Sequence, residues 1–313
     1  MSVYPTAASV ARCAARGCRC GVRRPVYPSD MTDAEWDVLR SEAEQVMASI
    51  RLAPGRPMDH PLRSMLDAVR YVVRNGIEWR AMPVDFPPWE AVYAFWDRWS
   101  ARELPQRLSH RLRDRLREHA GRARQPTAAI ADSQSVKSAE WAGPLEVGYD
   151  AGKKIKGIKR HVAVDVEGFL LAVVVTAADI GDRHGLKLLL IGLLDWFTRL
   201  KVIWVDAGYD GDPLKAWVKA VAGIAVEVIA RPVAHEFKVI RRRWVVERSF
   251  GWLMRYRRLC RNYERRQKHQ EAMIWWANTM IMTRRLARIH QPPDPQTYQR
   301  RWGKPRPSIP ATT

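Results

Sequence analysis

The sequence predicts an α/β protein in which an all-helical N-terminal segment precedes a mixed sheet flanked by helices. Three observations predict it. From about residue 29 to 119, apolar residues recur at helical spacing. From residue 127 the pattern changes to short β-type runs: "AAIADSQSV", "HVAVDVEG", "FLLAVVVTA", "LKVIWVDAGYD" and "IAVEVIA". Two helical stretches, "RHGLKLLLIGLLDWF" and "PLKAWVKAVAG", fall between the later strands, which gives β-α-β-α order and a sheet covered by helices.

Taken in order, "SDMTDAEWDVLRSEAEQVM" opens a helix, with Ser29, Thr32 or Asp33 as cap candidates and acids in the first turn. "RLAPGRPMDHP" (51–61) is a loop. "LRSMLDAVRYVVRNG" (62–76) is amphipathic through Leu62, Met65, Leu66, Val69 and Val72 or Val73, and Asn75-Gly76 ends it. "IEWRAMPVDFPPW" turns the chain into a helix starting at "WEAVYAFWDRWSAREL", and a basic helix follows around 105–119. Short helices around a Gly/Pro turn, with arginines on exposed sides, suggest a helix-turn-helix-like DNA-binding unit. Trp79, Trp89, Trp96 and Trp99 read as core rather than base-stacking groups. Residues 121–127 are a linker, and a tight Glu167-Gly168 turn joins two of the early strands. A helix over 242–263 and another over 270–288 close the fold. The expected organisation is a disordered or upstream extension at 1–28, a helical DNA-binding domain at 29–122, a catalytic domain at 127–290, and a disordered basic tail at 291–313.

Composition narrows the partner. Lys plus Arg number 53 against 33 Asp plus Glu, a formal charge of +20 in 313 residues. A basic chain that is 47% hydrophobic and carries 14 tryptophans fits a folded protein with a polyanionic partner, nucleic acid first. No apolar run reaches the ~18–20 residues of a spanning helix, so no membrane partner is expected. Cys13, Cys18, Cys20 and Cys260 form no disulfide framework and match no closed zinc site, which points to a reducing, cytoplasmic setting.

Two strand-like runs end in an aspartate, "AIAD" at Asp132 and "VIWVD" at Asp206. Sheet ends of this kind can project ligands into a crevice. A third acid, Glu247, sits where eleven basic side chains and only one other acid, Glu264, lie between Arg241 and Lys268. Helical spacing puts Arg243, Glu247, Gly251, Met254, Arg258 and Arg261 on one face, with Val245, Val246, Phe250, Trp252, Leu253 and Tyr256 largely opposite. The bland reading of Glu247 is an i, i+4 pair with Arg243, of about 0.2–0.5 kcal/mol. The sharper one joins it to Asp132 and Asp206, because three carboxylates from two strands and a helix can hold two Mg²⁺ ions for in-line phosphoryl displacement. The run "GKKIKGIKR" (152–160) reads as DNA-backbone contact. Asp165 reads as a hairpin-turn residue, Asp179 and Asp182 as helix caps, and His161 and His184 as structural or phosphate-contacting.

These residues resemble the insertion-sequence transposases with a DDE triad, specifically the insertion-sequence-five group of the insertion-sequence-four-like class. The segments that carry the resemblance are "MTDAEWDVL", "EWRAMPVDFPPWEAVYAFWDRW", "DSQSVK", "GYDAGKKIKGIKRHVAVDVEGFLLAVVVTAAD", "DRHG", "WVDAGYDG" and "RRRWVVERSFGWLMRYRRLCRNYE", in the family's order from Ser29 to Arg288. The resemblance implies a ribonuclease-H-like core and an N-terminal domain that binds transposon ends. It also implies Mg²⁺ (with Mn²⁺ as substitute), double-stranded DNA as partner, and a dimer or higher assembly on DNA. It places the catalytic, metal-holding triad at Asp132, Asp206 and Glu247. The wider class has a Tyr-x₂-Arg-x₃-Glu-x₆-Lys signature; Arg243 and Glu247 match it, whereas Ile240 and Met254 depart from it. The expected DNA-contacting residues are Arg243, Arg255, Arg258, Lys153, Lys154, Lys156, Lys159 and Arg160.

Overall fold

The computed structural model describes residues 23–49, 58–141, 143, 146–229 and 241–290. Cys13, Cys18, Cys20, Ile240, the 291–313 tail and most of the 51–61 loop lie outside these residues. The helical segment comprises α1 (Asp33–Ser49), α2 (Leu62–Asn75), α3 (Trp89–Ala101) and α4 (Leu104–His119). Of the three cap candidates, Thr32 does the work: its Oγ1 accepts from Glu35 N at 3.1 Å. The apolar stripe foreseen on α2 is buried, and Gly76 ends the helix in the left-handed region at φ 70°.

Strands β1 (Ala128–Lys137), β2 (Gly148–Asp150), β3 (Ile155–Val164), β4 (Leu170–Ala177), β5 (Val202–Val205) and β6 (Ala225–Val228) form one mixed sheet. Its spatial order is β4-β3-β1-β5-β6, with short β2 beside the start of β3. The β4-β3-β1 half is antiparallel, and β1-β5-β6 is parallel through α5 (Asp182–Leu194) and α6 (Asp212–Ala222). The β3–β4 hairpin turns as expected at Glu167-Gly168. Asp165 Oδ1 accepts from Glu167 N and Phe169 N at 3.0 and 2.9 Å, and Gly168 supplies φ 83°.

Alternation along the strands sorts two cores. Ala129, Ala131, Ala163 and Leu171 face α5 and α6. Ile130, Val162, Val164 and Leu170 face the other way, onto a cluster that includes the apolar faces of α1–α4, α7 (Arg241–Leu253) and α9 (Gln267–His290). Helix α9 is apolar and buried on several sides, including Met273, Ile274, Trp276 and Met280, because helices pack around it. Trp96 and Trp99 are core, as foreseen; Trp99 stacks on Trp276 at 5.7 Å. The N-terminal helices therefore share a core with the sheet rather than closing one of their own.

Three expectations change. The helix foreseen over 242–263 is broken: α7 stops at Leu253 and a short α8 (Arg257–Cys260) follows a turn. After the turn Arg258 points inward, with its Nε 2.7 Å from Glu264 and Nη1 2.9 Å from the Ile77 carbonyl. The one-face grouping of Arg243 and Glu247 with Arg258 and Arg261 therefore fails. Residues 23–28, expected outside the fold, are tied into it: buried Arg23 pairs with Asp30 and Asp85, and Tyr27 stacks on Phe86.

One pH dependence arises here. Glu271 on α9 accepts from Val175 N at 2.8 Å and so caps the outer edge of β4, and burial pushes its carboxyl up to about 7. A raised carboxyl stabilises fully below its unfolded value and loses that contribution as pH rises through 7. Glu271→Gln keeps an acceptor for Val175 N–H without the charge. Urea unfolding at pH 5 and pH 8 should show the wild type losing about 1–3 kcal/mol more than the variant across that interval.

Candidate active site

Asp132 lies mid-way along β1, and Asp206 is the first residue after β5. The parallel ladder pairs Ile130 with Trp204. Asp132 continues along β1 and Asp206 directly follows β5, and the charge on Asp206 reaches the Asp132 carboxyl, so the two acids are neighbours. Sequence spacing alone could not give this, because it depends on β1 and β5 being adjacent and in that register. Burial pushes the Asp132 carboxyl up to about 6, and the charge on Asp206 adds to the rise. The Ser133 N–H, 2.7 Å from Asp132 Oδ1, works the other way, as do Lys153 and Arg243 at longer range. Asp206 is held by Gly208 N at 2.9 Å, at the head of the 3-10 turn Ala207–Tyr209.

Glu247 is exposed on α7 and accepts from Arg243 Nε at 2.9 Å. That is the bland pairing foreseen from i, i+4 spacing. The Arg243 charge nevertheless reaches Asp132 at long range and lowers its carboxyl slightly. Hydrogen bonds from Arg248 to the Glu167 carbonyl and from Ser249 Oγ to the Gly168 carbonyl, at 2.8 and 2.7 Å, fasten α7 to the β3–β4 hairpin. Among the described residues, no three of His, Cys, Asp and Glu come close enough to hold a metal ion. The structure thus brings Asp132 and Asp206 together and leaves Glu247 exposed on α7, bound to an arginine.

The Asp132–Asp206 pair itself suits a hard divalent cation. It offers oxygen ligands only, its like charges repel, and one carboxyl already resists ionisation. The Tyr209 hydroxyl is buried beside Ser133 and near Asp132, Asp182 and Asp206 without completing a hydrogen bond. Burial, then the charges on Asp132 and Asp182, hold its proton well above the usual phenol range.

The basic residues divide. Lys153, Lys154, Lys156 and Arg255 are exposed, and Arg243 is half-buried on Glu247. Three others turn inward, and their burial removes them from the foreseen DNA surface. Arg160 donates to the Leu259 carbonyl at 2.7 Å, Arg258 pairs with Glu264, and Lys159 donates to the Ile180 carbonyl at 2.8 Å. Asp165 is the foreseen turn residue, and Arg117 pairs with it. Asp182 is not a cap, since Gly181 precedes α5 and no side chain caps it. Its carboxylate instead reaches β1, where it accepts from Ser133 Oγ at 2.8 Å, and Lys159 Nζ stands 3.3 Å away. The sequence signal for Asp182 was its place in "DRHG", one of the segments carrying the resemblance.

The family model described as "Transposase DDE domain" matches residues 123–282, just over half of the chain. The chain belongs to this family. That makes it an enzyme of the DNA-cleaving transposase class. A second model, "Putative transposase of IS4/5 family", matches residues 31–109. The chain is 27% identical over 163 residues to the "Putative transposase for insertion sequence element IS402" of Burkholderia cepacia, covering 50% of this chain and 77% of that protein. Among solved structures, the piggyBac transposase synaptic complex with hairpin DNA aligns over 90% of this chain and 85% of that one. Its TM-score of 0.36 and 10% identity are too low to carry an argument about this transposase. A DDE domain implies use of a divalent cation. No helix among the described residues is long and apolar enough to cross a membrane.

Proposed function

We propose that this transposase binds the inverted repeats at transposon ends, nicks the DNA there and joins the released 3′-hydroxyl to target DNA, with Asp132, Asp206 and Glu247 as its DDE triad. The observation that carries the reading is the pair of neighbouring aspartates, Asp132 on β1 and Asp206 directly after the adjacent parallel strand β5, with Asp132 pushed up to about 6. A sheet with three antiparallel strands followed by two parallel ones, acids at its centre, supports the ribonuclease-H-like reading. Asp132 and Asp206 would hold Mg²⁺, or Mn²⁺ in its place. The bound cation would supply activation of the attacking oxygen and stabilisation of the leaving one.

The chain's own residues do the rest. Exposed Lys153 and Lys154, on the turn before β3, and Lys156 and Arg255 would bind backbone phosphates. Arg243 has two claimants, Glu247 and a phosphate. DNA binding draws its guanidinium to the phosphate and frees the Glu247 carboxylate to turn to the aspartates. The helices α1–α4 supply end recognition through their exposed arginines. Two ends must be joined, so the working form is a dimer or larger assembly on DNA.

Glu247→Gln tests the triad. It keeps the side chain's size and a hydrogen-bond acceptor for Arg243. Mg²⁺-dependent nicking of repeat DNA should fall by about 10³-fold or more, with DNA affinity retained. If Glu247 serves only Arg243, nicking stays within severalfold of wild type and stability drops by about 0.2–0.5 kcal/mol.

A further inference from the structure

Asp182 belongs to the working site, although neither the triad nor a helix-cap role explains where it is. Its placement is specific. Gly185, one turn into α5, packs against the His161 ring so closely that a Cβ there would lie 2.1 Å from Nδ1. That contact brings the first turn of α5 down onto β3 and carries Asp182 to the edge of β1. The His161 ring is itself fixed by Thr176 Oγ1, 3.1 Å from its Nε2, and burial pushes its pKa down to about 4, so it stays neutral.

From there a continuous polar chain leads to the acid pair. The Ser133 hydroxyl donates to Asp182 Oδ1 at 2.8 Å, while the N–H of the same residue donates to Asp132 Oδ1 at 2.7 Å. Lys159 Nζ lies 3.3 Å from Asp182 and 3.9 Å from Asp150, whose carboxylate also accepts from Ser135 Oγ. On the far side, a Cβ on Gly208 would lie 3.1 Å from Asp206 Oδ1 and 3.7 Å from Asp182 Oδ2, so Asp182 flanks the Asp206 turn as well. The observation independent of these acids is the Tyr209 hydroxyl. It is 1% exposed as a residue, lacks a completed hydrogen bond, and lies among Asp132, Asp182 and Asp206. A buried donor left open among carboxylates marks a place where something polar completes the network.

The geometry points to Asp182 as a positioning carboxylate that, through Ser133 and its place against the Gly208 turn, holds the Asp132–Asp206 pair in its cation-binding arrangement. This rests on the metal-binding reading of that pair. Asp182 acts through Ser133, whose hydroxyl donates to it and whose N–H holds Asp132. Such outer partners of metal ligands typically change affinity by about 10–100-fold when removed.

The test is a calorimetric titration of Mn²⁺ into the metal-free full chain. Asp182→Asn should weaken Mn²⁺ binding by about 10–100-fold. The Mg²⁺ concentration for half-maximal nicking should rise in proportion, and saturating Mg²⁺ should restore most of the turnover. A role in folding alone would not give that split. An Asp182→Asn affinity within twofold of wild type, alongside an Asp132→Asn protein that no longer binds Mn²⁺, overturns the inference and leaves the acid pair standing. Mn²⁺ binding unchanged in both variants overturns the metal reading and this inference together. If Asp182→Asn does not fold, Ser133→Ala decides, since it keeps the N–H on Asp132 and removes only the bridge. A severalfold loss of Mn²⁺ affinity is then expected, and no change overturns the proposal.

Discussion

Asp132→Asn should abolish nicking and at the same time make the metal-free protein more stable at pH 7. The two effects have one cause. Asp132 is half-buried on a central strand beside Asp206, and its carboxyl is pushed up to about 6 by burial first and that neighbour's charge second. A carboxyl raised in the folded state stabilises below its unfolded value near pH 4. That contribution is lost as pH rises through 6, so at pH 7 the fold carries the full cost of the charge. Asparagine keeps an acceptor for Ser133 N–H and removes the charge, a gain of about 1–3 kcal/mol in metal-free buffer. Nicking should meanwhile fall by about 10³-fold or more if Asp132 holds the cation as proposed. Urea melts with a chelator present, at pH 5 and pH 7, measure the first effect; the gain should shrink at pH 5. A structural Asp132 would give the reverse, a variant less stable at both pH values.

Arg23→Ala should cost about 3–5 kcal/mol of folding stability, the range for removing one partner of a buried ion pair. The Arg23 side chain is 3% exposed and serves three acids: Asp30 at 2.7 Å, Asp85 at 3.0 Å and Asp67 at 3.7 Å. Its guanidinium also lies 3.9 Å from the centre of the Phe86 ring. Without it, Asp30 and Asp67 remain buried with less compensation, and Asp67 is already pushed up to about 6 by burial. A chain starting at residue 29 loses the same contacts and should be destabilised alike. Equilibrium denaturation of the full chain and both variants checks this. Near-wild-type midpoints would restore the view that residues 1–28 contribute nothing.

Much of the fold could be read because its signals are local. The α2 stripe, the Gly76 stop and the Glu167-Gly168 turn depend on residues within a few positions of one another, and each appears where expected. Asp206 could be singled out as a strand-end acid, but β1 runs on past Asp132 to Lys137, and the nearness of the two acids needed β1 and β5 to be neighbours. Charge was the poorer guide. In "IKGIKRHVAV" the strand is covered on both faces, so alternation could not show that Lys156 is exposed while Lys159 and Arg160 are buried. The break after Leu253 has no proline to announce it, and of the contacts Arg258 makes beyond it, to Glu264 and the Ile77 carbonyl, the second joins residues far apart in the chain. Asp182 was misread for a related reason. An acid in a first helical turn is ordinarily a local feature, and only the packing of Gly185 on His161 carries this one to β1.

The most direct test of the acid pair is cleavage of a duplex carrying the DNA that flanks the gene, by the full chain and by its Asp206→Asn variant, with strand joining read in the same reaction. The predicted result is Mg²⁺-dependent nicking at the repeat ends and joining of the freed 3′-hydroxyl by the wild type. Both should be lost by about 10³-fold or more in Asp206→Asn while repeat binding persists. Nicking by Asp206→Asn within severalfold of wild type would contradict the assignment of Asp132 and Asp206 as the centre of this transposase's chemistry.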